Sequence, residues 1–222
     1  MPSPSHPRLR PLLLALLASS LLVKAPPLCA APEAAVDAGW ILSKLQRPTP
    51  SSTTFVELHD SPLLKAPLRL SGEYRRPDAD TLVREVRTPY AETTTIHAGE
   101  VTIERAGKGP RTFSLARVPE LSGLQASFGA LLSGDRQLLE QHYRVASDGA
   151  RTHWTLTLVP EDAALARKVR QIVLHGRGAE LRCIETQPVQ GPVQRTLLAG
   201  AARDAAGIAD SGALARLCQN PS

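Results

Sequence analysis

The sequence predicts a mainly β protein, built on one large curled antiparallel sheet of about ten strands with a helix ahead of it and a helical insertion in its middle. Three observations carry this. Short runs of β-forming residues follow one another from Ser51 onward, separated by Gly or Pro, with connections too short for crossover helices. Between Pro119 and Glu140 the apolar period changes from two to that of a helix. After it the alternation returns, most firmly where Trp154, Leu156 and Leu158 interleave with Thr155, Thr157 and Val159.

Residues 1–30 stand apart from the sheet. Arg8 and Arg10 form a basic head, Leu12 to Val23 is an apolar run, and Cys29-Ala30-Ala31 supplies small residues, the pattern of a secretory signal peptide. The run is too short for a comfortable membrane span. Cleavage would remove Arg8, Arg10 and Lys24, so the formal charge of +5 falls to 23 basic against 21 acidic residues, or +2. Nucleic acid as a partner thereby loses its electrostatic support. The expected location is the periplasm, reached by export through the inner membrane.

From Glu33 to Arg47, Val36, Trp40, Ile41, Leu42 and Leu45 recur at helical spacing until Pro48 stops the run. Strands follow at Ser51–His59, Leu68–Arg75, Thr81–Thr88, Ala91–His97, Val101–Arg105 and Thr112–Ala116. In the third of these runs Leu82, Arg84 and Val86 share one face and Val83, Glu85 and Arg87 the other, so each face carries charge. With Arg75 and Arg76 before Pro77, this stretch reads either as an exposed ribbon or as the rim of a cavity. Leu121, Leu124, Phe128 and Leu131, spaced 3, 4 and 3, fall on one helical face, and Ser133-Gly134-Asp135 separates them from a short helix. Strands resume at Tyr143–Ser147, Thr152–Val159, Ile172–Leu174, Leu181–Thr186 and Val193–Leu198, and the Ala/Arg-rich tail to Leu217 suits one more helix.

Two cysteines, Cys183 and Cys218, remain beyond the leader. In an oxidising compartment they suggest one disulfide tying the tail to the last strands; two buried thiols are the alternative. A bond closing that loop is worth roughly 3–4 kcal/mol by chain entropy. No zinc-protease, nucleophile-elbow, phosphate-loop or C-x-x-C motif occurs. The histidines His59, His97, His142, His153 and His175 are dispersed, so neither a cofactor nor a metal is expected. With only 4% aromatic residues, a stacking platform for bases or sugars is disfavoured. Aliphatic inward faces suit alkyl chains instead, at about 0.8 kcal/mol per buried methylene.

The segments Ser71-Gly72-Glu73-Tyr74-Arg75-Arg76-Pro77, Leu131-Leu132-Ser133-Gly134-Asp135 and Trp154-Thr155-Leu156-Thr157-Leu158-Val159-Pro160, in this order of elements, resemble the LolA-type outer-membrane lipoprotein carrier family, and more closely its divergent LolA-related branch. The similarity runs from Ala34 to Leu198. It implies an unclosed barrel of about eleven antiparallel strands with helices as a lid over an apolar cavity. It implies, too, a non-enzymatic carrier that takes acylated lipoprotein from an inner-membrane ABC-type exporter to an outer-membrane acceptor. Arg76, before the proline, resembles a latch that hydrogen-bonds the lid in the empty form. The familiar aromatic pattern after Gly72 and after Gly99 is missing, which leaves the cargo open between lipoprotein, glycolipid and another acylated molecule.

On this reading residues 31–200 form the half-barrel domain of a monomer and residues 201–222 a tail. Leu70, Leu82, Val86, Trp154, Leu156 and Leu158 face the acyl chains, and Leu124, Phe128 and Leu131 seal the mouth. Two other readings stay open. One is an envelope interaction module that docks a protein on its open sheet. The other is an acyl hydrolase or transferase, for which His142, His153 or His175 is the first residue to test.

Overall fold

Asp37 decides where the chain becomes helical. Its carboxylate accepts from the Trp40 amide at 2.9 Å, and α1 runs over Ala38–Leu45 with Ala38, Ile41, Leu42 and Leu45 buried. The sequence predicted a helix from Glu33; instead Ala35 bridges to Ala150, and the Val36 amide donates to the Gly149 carbonyl at 3.3 Å. An N-cap outcompetes apolar periodicity because it satisfies an amide that the helix cannot. The computed structural model describes residues 35–59, 65–117, 130–131 and 133–219, all within the compact unit Glu33–Ser222.

Among the described residues eleven strands form one sheet: β1 (Ser51–His59), β2 (Leu68–Arg76), β3 (Thr81–Thr88), β4 (Glu92–His97), β5 (Glu100–Arg105), β6 (Arg111–Ser114), β7 (Tyr143–Ala150), β8 (His153–Pro160), β9 (Val169–Arg177), β10 (Glu180–Pro188) and β11 (Gln194–Leu198). Their order is β6-β5-β4-β3-β2-β1-β11-β10-β9-β8-β7, antiparallel throughout. The first strand pairs with the last, and β6 and β7 are the edges, so the sheet stays unclosed as expected. No helix among the described residues is long and apolar enough to cross a membrane.

Register assigns the faces, since directly paired residues point the same way. Phe55 is opposite both Gly72 and Leu198, and Gly72 is opposite Val86. Leu156 is opposite Leu174, and Leu158 opposite Ile172. These side chains, with Trp154 and Ile184, form a single buried cluster with α1, Leu131 and Leu139. Two glycines permit it. A Cβ on Gly72 would collide with the Glu85 carbonyl, and one on Gly176 would occupy the Trp154 indole, whose N–H donates to the Gly178 carbonyl at 3.0 Å.

One irregularity matters for the site. Leu181 pairs with Gly176 and Cys183 with His175, leaving Arg182 as the extra residue of a bulge. The bulge turns Leu181 and Ile184 both to the face that carries α1, and Arg182 and Cys183 to the other. There Val56, Leu58, Cys183 and Leu197 pack against α4 (Ala199–Asp204) and α5 (Ser211–Gln219). The single tail helix predicted from sequence is two, separated around Gly207 at φ +79°, and Cys218 of α5 is bonded to Cys183. Arg69 reaches the loop between these helices, donating to the Ile208 and Ala205 carbonyls at 2.7 and 3.1 Å.

The short helix after Ser133-Gly134-Asp135 is α2 (Arg136–Glu140), capped by Asp135, which accepts from the Leu138 amide at 2.9 Å. A further turn, α3 (Ala163–Ala166), is capped by Asp162 in the same way. Leu121, Leu124 and Phe128 lie outside the described residues.

Candidate functional site

A cavity of about 240 Å³ opens where α1 ends. Leu45 and Leu131 cover it from above; Tyr74, Leu82, Leu181, Ile184 and Leu198 form its wall and floor; Arg47, Arg76, Glu180 and Ser51 to Thr53 are at its mouth. Six of these strand and helix residues are aliphatic, so the hollow is apolar with a polar collar. It exists because β1 and β11, joined at the centre of the sheet, present Thr53 and Leu198 here, while the bulge in β10 adds both Leu181 and Ile184.

The collar is held by guanidinium-to-carbonyl bonds. Arg47 donates through Nη1 to the Lys44 and Gln46 carbonyls, each at 2.8 Å, and through Nη2 to the Ala179 carbonyl at 2.6 Å, tying the end of α1 to the β9–β10 turn. Arg76, at the end of β2, donates through Nη1 to the Arg47 carbonyl at 3.4 Å. Arg75 belongs to the opposite face and pairs with Glu85 at 3.1 Å.

Beside the cavity the same sheet face carries a buried charge cluster. Glu57, 7% exposed, accepts from Arg84 Nη2 at 2.7 Å, Thr196 Oγ1 at 3.0 Å and the Tyr74 hydroxyl at 3.4 Å, and contacts His59 Nε2 at 3.0 Å. Burial pushes the Glu57 carboxyl up, but the His59 hydrogen bond and the Arg84 guanidinium outweigh it and hold the group below the ordinary carboxylate value. Burial and the neighbouring Glu57 charge raise the Tyr74 phenol, which stays protonated. Arg84 lies 4.8 Å from the Phe55 ring centre, and Phe55 and Tyr74 are themselves 4.8 Å apart, so the cluster fixes the ring that walls the cavity.

Of the residues singled out from sequence, Leu82 and Leu131 line the cavity. Leu70, Val86, Trp154, Leu156 and Leu158 are on the same face but at most 4% exposed, packed in the cluster that α1 and α2 cover. Leu124 and Phe128 fall outside the described residues. Arg76 stands at the mouth, and the disulfide of Cys183 and Cys218 is on the far face. Tyr74, Leu181, Ile184 and Leu198 were not anticipated. Leu181 and Ile184 are three apart, a spacing that period-two reading assigns to opposite faces.

The far face holds a second polar group. His175, 7% exposed, has neither ring nitrogen hydrogen-bonded among the described residues; its Nε2 is 4.0 Å from Glu185, which Arg195 engages at 3.1 Å. Burial pushes the His175 imidazole down, against the raising effect of Glu185. Cys218 Sγ lies 3.9 Å from Glu185, but in the disulfide it has no thiolate to offer a cation. His153 is on this same face of β8, one position diagonal to His175, whereas His142 immediately precedes β7.

The family described as "Outer membrane lipoprotein carrier protein LolA-like" matches residues 30–221. Among curated proteins none matches the chain. Solved structures similar to it include a LolA superfamily protein from Nitrosomonas europaea, at 15% identity and a TM-score of 0.38 over 72% of this chain and 76% of that one. Another is LprF from Mycobacterium bovis, at 15% identity and a TM-score of 0.32 over 73% and 91%.

Proposed function

Since the chain belongs to the LolA-like outer-membrane lipoprotein carrier family, we propose that it is a periplasmic carrier that holds acyl chains of a lipoprotein or other acylated lipid under α1 and moves them from the inner toward the outer membrane. The observation that carries this reading is the apolar cavity between Leu45, Leu131 and the floor residues Ile184 and Leu198. At about 0.8 kcal/mol per methylene, even a half-buried tail gains several kcal/mol. The cavity, about 240 Å³, is smaller than the ~300–1,000 Å³ of sites that enclose a whole ligand, so a full cargo requires the cover to lift.

The chain's own residues hold that cover in place. Arg76 bonds the lid end at the Arg47 carbonyl, and Arg47 bonds the Ala179 carbonyl; parting these contacts frees the end of α1 from β2 and from the β9–β10 turn. Arg76 is thus the latch of the empty form, and Leu131, with Leu124 and Phe128, the seal. No covalent step occurs: loading and release are exchanges between hydrophobic surfaces, from an ABC-type exporter to an outer-membrane acceptor, by a monomer whose residues 1–30 are a cleaved leader. Residues 31–200 are the half-barrel and residues 201–222 its tail.

Native purification from the periplasm, followed by mass spectrometry of an organic extract, tests the reading. Acyl species should accompany the protein in near-stoichiometric amount, and a clean extract from correctly folded protein argues against it. Arg76→Leu should speed exchange of a bound acyl probe, because the closed form loses a contact that the open form lacks.

A further inference from the structure

We infer that the cavity takes a single alkyl tail ending in an anion, a carboxylate or a phosphate monoester, with the head between Arg47 and Arg76. This rests on the acyl-carrier reading and adds to it the chemistry of the head. Several arginines of β2, β3 and β10 have a carboxylate: Arg75 and Arg87 have Glu85, Arg84 has Glu57, and Arg182 has Glu180 and Asp204. Arg47 and Arg76 do not. Among the described residues they meet only carbonyl oxygens, three for Arg47 and one for Arg76. A guanidinium carries five N–H donors, so each keeps donors for a further acceptor.

Among the described residues the one carboxylate at the mouth, Glu180, is already engaged: it accepts from the Gly200 amide at 2.7 Å and faces Arg182 at 3.4 Å. The C-terminal end of α1 offsets roughly half a charge at most. A net positive collar therefore surrounds an apolar hollow. An uncharged head would leave both guanidiniums without a counter-ion, whereas a carboxylate or phosphate can accept paired N–H bonds from either. The volume of about 240 Å³ suits one tail, not two.

Isothermal titration of the delipidated full-length mature protein tests this with three probes of equal tail, dodecanoate, dodecyl phosphate and dodecyl maltoside, each below its aggregation threshold. Both anions should bind at least about tenfold more tightly than the maltoside, by a margin that shrinks as salt rises from about 0.02 to about 0.5 M. Whichever anion keeps the larger margin identifies the source of the head as a fatty acid or a single-tailed phosphate monoester. In the Arg47→Gln/Arg76→Gln double variant the ratio of anionic to uncharged affinity should fall to within about twofold of one; should that protein not fold, each single variant should lower the ratio about threefold. Equal affinities in the parent protein, or a preference that the double variant retains, overturn the charged-head inference while leaving tail binding intact. No binding of any probe overturns the carrier reading with it.

Discussion

Replacing Glu57 with Gln removes one negative charge from the most deeply buried ion pair on the cavity face. The carboxylate is 7% exposed and serves Arg84 at 2.7 Å, Thr196 at 3.0 Å and Tyr74 at 3.4 Å. Gln offers one acceptor oxygen in place of two, so at least one donor goes unanswered, and Arg84 loses its counter-charge. Breaking a buried pair by removing one partner costs about 3–5 kcal/mol. Here the Arg84 side chain is 23% exposed and lies over the Phe55 ring at 4.8 Å, which lowers the expected loss to about 2–3 kcal/mol. Urea denaturation at neutral pH measures it, and a cycle with Arg84→Met should return a coupling of about 2 kcal/mol. The advantage of Glu57 over Gln has a pH signature. Its folded pKa is below 4.5, so the unfolded chain takes up the proton first; the advantage is complete above 4.5 and disappears as pH falls through the lowered value. A Glu57→Gln loss under about 0.5 kcal/mol, or an advantage that survives strong acid, refutes the cluster as the anchor of Tyr74.

Two further outcomes follow from the far face. Replacing both Cys183 and Cys218 with Ser opens a loop of 35 residues and should lower stability by about 4 kcal/mol; an unchanged urea midpoint would show that α5 stays docked without the bond. His175 is buried with its folded pKa below 6.5, so the unfolded state binds protons first and stability declines as pH drops below 6.5. His175→Gln should flatten that decline in a denaturation series between about pH 7 and pH 5, and an identical slope in both proteins rules the residue out as its source.

Most of the sheet was legible because its strands are short, alternate, and are punctuated by Gly and Pro. Strand limits moved by only a few residues, and the sheet of eleven antiparallel strands stays unclosed, as the family resemblance implied. What sequence could not reveal was which part of the buried face stays hollow. Trp154, Leu156 and Leu158 alternate perfectly and so read as lining, yet they are fully buried in the core cluster that also holds residues of α1 and α2. The cavity wall instead depends on Leu181 and Ile184, which share a face only because Arg182 is an extra residue, and a bulge leaves no mark in apolar periodicity. Glu57 was hidden in the apolar run Phe55-Val56-Glu57-Leu58, its partner Arg84 two strands away in the sheet. Arg84 did stand out in sequence as a charge between Leu82 and Val86, the trace that a buried pair leaves when its other half is remote.

The central claim, that the covered face of the sheet keeps a hollow for an alkyl tail, is tested most directly by titrating a fluorescent fatty-acyl probe into the parent protein and into Ile184→Trp. Ile184 is on the cavity floor and 8% exposed, so an indole there must occupy the hollow. Saturable one-to-one uptake by the parent, weakened at least about tenfold by the indole, is the predicted result. Absence of uptake by the parent, or uptake that the indole leaves untouched, contradicts it.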